Sequence, residues 1–172
     1  MIRKVLPAES DAFIRLRREA LEVEPLAFSS SPADDHAQSV EMVRQYLAHP
    51  TQAIFGAFEP DLVGVAGIVQ EACQKSRHKA RLWGVYVTSS RRREGLGHAL
   101  VQAVIDFARS LEGVSRIQLA VTDPSRSARA LYERLGFVTW GTEPAAVHVG
   151  GATVAEHHMT LVLAPPSVHL TP

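Results

Sequence analysis

Three β-type runs follow one another in the first half of this chain, and the third runs straight into a change of apolar period. "QAIFGAFE" (52–59) and "LVGVAGIVQE" (62–71) are separated only by Pro60-Asp61, a hairpin signal, and "ARLWGVYV" (80–87) is the third run. Two serines and three arginines come next, then Glu94-Gly95-Leu96-Gly97. From there Leu96, Leu100, Val104, Phe107 and Leu111 recur at helical spacing. Strands joined by tight turns pair antiparallel, whereas a strand leading into a helix and then another strand is a crossover. The combination restricts the chain to a mixed sheet.

The flanks extend the same pattern. Val5 and Leu6 end a short first strand, and Pro7 breaks it. Phe13, Leu16, Ala20 and Leu21 make a helical stripe over 8–23, followed by the turn-rich "EPLAFSSSPADD" (24–35). Asp34 or Asp35 is expected to cap a second helix carrying Val40, Val43 and Leu47, which His49-Pro50 stops. "RIQLAV" (116–121) reads as a buried strand, and "DPSRSARALYERLG" (123–136) as a helix closed by Gly136. Strands over 137–149 and 153–163 turn at Gly150-Gly151. The order β-α-α-β-β-β-α-β-α-β-β predicts an α/β (α+β) fold: a mostly antiparallel six- to seven-stranded sheet flanked by helices on both faces. One domain over 1–164 and a C-terminal tail over 165–172 are expected.

Composition narrows the function. Apolar residues make up 46% of the 172 positions, enough for a sizeable core, and 18 basic residues balance 18 acidic ones. Bulk charge therefore gives no ground for a nucleic-acid or membrane partner. No segment approaches the ~20 apolar residues of a membrane-spanning helix, so a cytoplasmic location is expected. The single cysteine, Cys73, rules out an internal disulfide and reads as a half-buried bystander. Locally the balance fails: between Lys75 and Arg93 there are seven Lys or Arg and no acid.

Part of that basic belt meets the glycine turn. A helix N-terminus after a strand offers N–H groups with no intrahelical acceptor and a dipole that favours negative charge. Glycine lets the backbone close on a ligand, and arginine supplies donors suited to phosphate oxygens. Arg92-Arg93-Glu94-Gly95-Leu96-Gly97 combines all three, which points to a phosphate. The Gly-Lys-Ser/Thr of a P-loop is missing, and Leu100 stands where a dinucleotide fingerprint needs its third glycine.

The segment Arg92-x-x-Gly95-x-Gly97 after Val85-Tyr86-Val87 resembles the acetyl-CoA site of the GCN5-related N-acetyltransferases. A second segment, "ARALYERLGF" (128–137), is similar to that family's A-x-x-L-Y-E-x-x-G-F motif. The resemblance implies an acetyl-CoA-dependent N-acetyltransferase acting on a primary amine of a small molecule or protein. It implies that Val85, Tyr86 and Val87 lie along the pantetheine arm, with main-chain groups of Val85 and Val87 pairing to it. It implies that Arg92, Arg93, Glu94, Gly95, Leu96, Gly97 and His98 cradle the pyrophosphate, and that Tyr132 gives a proton to the departing thiolate. The family often has Asn seven residues before this tyrosine, in contact with pantetheine; here Ser125 stands there.

No general base is evident, because no acid lies between Lys79 and Val87. Glu71, Glu143, Glu156, His157 and His158 are the candidates. Adjacent strand residues face opposite ways, so His157-His158 does not make a metal pair, and no metal is expected. Substrate selection is assigned to residues 24–29 and 140–156, where Glu24, Glu143 and Glu156 offer charge to an amine. The exposed edge of a terminal hairpin points to a homodimer. A non-catalytic acyl-CoA binding module is the alternative reading.

Overall fold

The computed structural model describes residues 1–35 and 37–163; the expected tail over 165–172 lies outside the described residues. Seven strands and four helices alternate as β1 (Ile2–Lys4), α1 (Ser10–Val23), α2 (Val40–Ala48), β2 (Gln52–Phe58), β3 (Leu62–Gln70), β4 (Lys79–Val87), α3 (Leu96–Ser110), β5 (Arg116–Thr122), α4 (Arg126–Arg134), β6 (Val138–Val149) and β7 (Ala152–Val162). The expected order is present in full. The strands form one mixed, open sheet in the order β1-β2-β3-β4-β5-β7-β6, and only β4 and β5 run parallel.

Two apolar bodies hold the layers together. On one face, Phe13, Leu16 and Ala20 of α1 and Val43 of α2 pack with Ile54, Val65 and Tyr86. On the other, Leu100, Val101, Val104, Ile105 and Ala108 of α3 and Tyr132 of α4 pack with Ile68, Leu82, Ile117, Leu119 and Met159. The buried stripe of α3 is thus rotated from the expected Leu96–Leu100–Val104–Phe107–Leu111. Phe107 sits at its margin, edge-on to Phe55 at 5.9 Å, and Leu111 lies just past the helix end.

Two local expectations are corrected. Ser39, not Asp34 or Asp35, caps α2, accepting from the Met42 N–H at 3.2 Å. The Asp34 carboxylate instead accepts from the main chain and hydroxyl of Ser31, and Asp35 turns inward to Arg17. Each aspartate found a donor outside the helix terminus, leaving the cap to the serine adjacent to α2. Cys73 is exposed rather than half-buried, since it lies in the loop between β3 and β4.

The feature that positions the site is a fault between two strands. β4 and β5 share only three register pairs, Lys79–Arg116, Ala80–Ile117 and Arg81–Gln118, and then part. Against β3, β4 slips register between Val65–Tyr86 and Gly67–Trp83, so Gly84 and Val85 together oppose Ala66. Gly84 adopts φ +64°, a left-handed conformation that glycine takes without a Cβ penalty. Such a bulge bends a strand and sharpens its twist.

Gly67 shows how tightly this region is packed. A Cβ there would overlap the Trp83 indole. The indole has little freedom to yield, because its Nε1 donates to the Tyr46 hydroxyl at 2.8 Å and its ring is edge-packed by Phe13 and Tyr46. Gly67→Ala is therefore expected to destabilise the protein by about 1–3 kcal/mol, the usual range for overpacking. A fall of several degrees in melting temperature would bear this out; an unchanged melt would contradict it.

Candidate functional site

Where β4 leaves β5, a cavity of about 840 Å³ opens and is lined from both faces of the sheet. Phe13 and Arg17 of α1, Phe28 and Ser29 of the loop after it, and Met42 and Tyr46 of α2 line one side. Leu119, Val121, Ser125, Ala128 and Tyr132 line the other, with Leu82–Val85 between them. The cavity is thus a passage through the sheet. Beyond Arg81 no register pair with β5 continues, so the β5-facing edge of β4 is bare along the passage. An unpaired strand edge inside a cavity asks for an occupant that can hydrogen-bond as a strand does.

The glycine turn closes the end of this edge. Arg93 and Gly95 take φ +69° and +80°, flanking Glu94, and α3 starts at Leu96 without a side-chain cap. Ala99 is the first residue of α3 whose N–H reaches a main-chain acceptor, Gly95 O at 3.1 Å. Among the described residues, the N–H groups of 93–98 have no partner. Left-handed residues in series with an uncapped helix terminus gather N–H groups into an anion-binding concavity. A Cβ on Gly97 would meet only Leu131 Cδ2 at 3.4 Å, so the fold itself tolerates one there.

The charged side chains around the turn brace it. Arg91 pairs with Glu59 and with Glu94 at 2.9 Å, and that guanidinium holds the Glu94 carboxyl below the usual carboxylate range. Arg92 donates through Nε to the Val87 carbonyl at 3.1 Å and through Nη1 to Glu24 at 2.8 Å. Its guanidinium is directed along β4 toward the loop after α1. Arg93 has no ion pair among the described residues, and His98 is exposed on the first turn of α3. Arg81, another member of the basic belt, pairs with Glu71 at 3.5 Å.

Behind β4, the Tyr86 hydroxyl donates to Glu19 Oε1 at 2.9 Å, and Thr88 Oγ1 donates to the same oxygen at 2.7 Å. Burial and the neighbouring carboxylate push the Tyr86 phenol up to about 12. Tyr86 thereby ties the end of β4 to α1 on the face away from α3. Val85 lines the cavity, whereas the Val87 carbonyl is engaged by Arg92. Ser125 lines the cavity with its hydroxyl 3.0 Å from Thr122 Oγ1.

Tyr132 is buried on α4, packed edge-on to Phe137 at 5.9 Å. Burial alone pushes its phenol above the ordinary value of 10. Among the described residues its hydroxyl has no hydrogen-bond partner. A buried, neutral phenol at a cavity wall can give a proton without first being charged.

The five candidate bases separate. Glu71 is held by Arg81. His157 lies on the α4 face against Asp123 (3.0 Å), Arg129 (3.2 Å) and Thr142 (3.0 Å). His158 lies on the opposite face, 3.3 Å from Glu143, as strand alternation requires. Only Glu156 lines the cavity, accepting from Ser29 Oγ at 3.2 Å across it. Glu143, Glu156 and His158 nevertheless bring their donor atoms within 4.8 Å of one another, a grouping not foreseen from the sequence. Glu156-x-His158, alternate residues of one strand face, was its signal.

The sequence reading also missed Arg17 and Asp35. Arg17 is 5% exposed, and its Nη2 and Nε reach Asp35 Oδ2 at 2.7 and 3.1 Å. The guanidinium lies over the Phe28 ring at 4.7 Å. A cation in register with Phe13 and Ala20 on the apolar stripe of α1 was the available clue.

Comparison with known proteins agrees with this geometry. The Acetyltransferase (GNAT) family profile matches residues 14–137, and the chain belongs to that family. It is similar to N-acetyltransferase 8 of Homo sapiens, with 32% identity over 103 residues that make up 59% of this chain and 45% of that protein. The chain spans less than half the length of the curated relatives it matches. Its fold matches a GNAT-family acetyltransferase from Streptococcus pneumoniae with a TM-score of 0.83 at 20% identity, covering 95% of this chain and 99% of that one. It also matches yncA of Salmonella typhimurium, solved with its cofactor acetyl-CoA, with a TM-score of 0.80 at 22% identity and 98% of both chains covered. Among the described residues no helix is long and apolar enough to cross a membrane.

Proposed function

We propose that this protein is an acetyl-CoA-dependent N-acetyltransferase, with residues 1–164 as one catalytic domain and a primary amine as acceptor. The observation that carries the reading is the passage through the sheet, with a bare strand edge, a turn of free N–H groups and a buried phenol along it. Family membership supports the same co-substrate.

In this reading the N–H groups of 93–98 hold the pyrophosphate, and the bare edge of β4 at Val85 and Val87 receives the pantetheine arm. Main-chain N–H groups of that edge polarise the thioester carbonyl. Gly95 and Gly97 keep the approach open, Arg93 and His98 flank it, and Arg92, Glu94 and Tyr86 act by bracing. Ser125 lies along the arm. The amine approaches from the α1–α2 side, and Glu156 takes its proton as nitrogen attacks the carbonyl carbon. The new C–N bond forms, the C–S bond breaks, and Tyr132 supplies the proton that the thiolate leaves with. No step requires a metal.

The binding half is tested by heat scanning. Acetyl-CoA at a hundred times its dissociation constant should add ~2.7 kcal/mol of stability. Gly97→Val should fold, because the added Cβ has room, yet lose that shift. No shift for the parent at millimolar acetyl-CoA would refute the reading, and a full shift for the variant would make the turn merely structural.

For the chemical half, Tyr132→Phe should lower turnover about 10²-fold with acetyl-CoA affinity nearly unchanged, since proton donation to the leaving thiolate acts only in the transition state. The raised phenol pKa has a sign: Tyr132 stays protonated beyond the ordinary tyrosine range, so parent turnover should show no alkaline loss from it between pH 6 and 10. Glu156→Gln should lower turnover across the same range, because an amide cannot take the amine's proton. Free-thiol release from CoA, followed across that range, reads all three. Parent-like turnover of the Phe variant would leave the proton donor unassigned.

A homodimer is proposed through the last two strands. Val138, Trp140 and Val162 are 60%, 61% and 65% exposed, and strand alternation puts them on the face opposite buried Met159, beside the edge of β6. Light scattering should give a dimer mass at micromolar concentration, and Trp140→Lys a monomer; a monomeric parent would end the proposal.

A further inference from the structure

Two buried side-chain nitrogens lack a hydrogen-bond partner among the described residues, Arg17 Nη1 and Arg116 Nε. Only Arg17 lines the cavity. Asp35 takes Nε and Nη2 of its guanidinium through one oxygen, and leaves Nη1 with two hydrogens and no acceptor. That nitrogen is directed at Gly84: a Cβ there would stand 3.6 Å from it, and glycine has none. A buried donor without an acceptor keeps its full desolvation cost, and native structures rarely retain one without a reason. The cavity that Arg17 lines is where an occupant with an acceptor would enter.

The chemistry around Nη1 limits what that occupant is. A guanidinium nitrogen only donates, so the partner is an acceptor. Asp35 already neutralises the cation, and the remaining preference is for an oxygen with free lone pairs rather than for net negative charge. Phe28 and Trp83 lie against the guanidinium, and Phe13 and Met42 line the same side, a setting for an apolar side chain. Glu156, the one candidate base in the cavity wall, serves the amine. The volume falls within the ~300–1,000 Å³ of small-molecule sites.

We propose that the acceptor is an amine whose α-carbon carries both a carbonyl or carboxylate group and an apolar side chain, an α-amino acid or the first residue of a short peptide, whose carbonyl or carboxylate oxygen is received by Arg17 Nη1. This rests on the acetyltransferase reading for the fate of the amine, but not for the binding itself.

Calorimetric titration of the full chain without acetyl-CoA separates the two. The probes are L-leucine, L-leucinamide, L-leucyl-glycine and 3-methylbutylamine, which share one side chain and amine and differ in the adjacent oxygen. The three oxygen-bearing probes should bind at least about tenfold more tightly than 3-methylbutylamine, the weight of one buried hydrogen bond. The tighter of leucine and leucyl-glycine identifies a free amino acid or a peptide terminus as the source. Arg17→Lys keeps a cation for Asp35 and removes Nη1, and should bring the oxygen-bearing probes down to the level of the plain amine. Binding of 3-methylbutylamine as tight as that of leucine and leucinamide overturns the proposal, and this comparison uses the unaltered protein, so it stands even if the variant fails to fold. A folded Arg17→Lys that binds leucinamide as the parent does also overturns it. Tight binding of leucine or leucinamide without acetyl transfer to any probe would instead count against the enzymatic reading alone.

Discussion

The site depends on a parallel strand pair that stops too soon. Backbone N–H and C=O groups inside a protein must be paired, and a sheet normally meets that demand by continuing its ladder. β4 and β5 meet it for three residues and then separate, because Gly84 and Val85 crowd two residues opposite one on β3 and bend the strand. The separated edge and the cavity are one event. The α1–α2 side and the α3–α4 side would otherwise be two sealed cores; the fault joins them and gives each side its own wall of the same passage.

The surrounding contacts make the fault permanent. Tyr86 and Thr88 anchor the far end of β4 to Glu19, Trp83 is locked by Tyr46, and Arg92 ties the Val87 carbonyl to Glu24. Ser29 reaches Glu156 over the opening, so the loop after α1 is fastened to β4's turn at one end and to β7 at the other. These contacts link residues far apart in sequence, which places the rigidity of the passage in tertiary rather than local structure.

That difference explains what was legible in the sequence. Element order followed from Gly and Pro punctuation and apolar period, both local signals. The glycine turn was legible because its φ values and free N–H groups are consequences of a contiguous segment. Tyr132 and Ser125 came through a contiguous motif as well. Arg17 and Asp35 stand 18 residues apart across an irregular loop, and nothing short of the folded loop brings them together. The cap of α2 was misread for the same reason: Asp34 and Asp35 are good local acceptors, but Ser31 and Arg17 claim them first. The gathering of Glu143, Glu156 and His158 needed the register of β6 against β7, which two bulges shift.

The basic belt carries a different consequence. Three of its arginines, Arg81, Arg91 and Arg92, find carboxylates at Glu71, at Glu59 and Glu94, and at Glu24, every one outside the stretch from Lys75 to Arg93. What neutralisation these three receive is a property of the fold and not of the segment. When the chain is unfolded, that stretch becomes a run of seven cations without an acid, able to associate with any polyanion through counterion release. Folding lessens that tendency by handing Arg81, Arg91 and Arg92 carboxylates from outside the stretch.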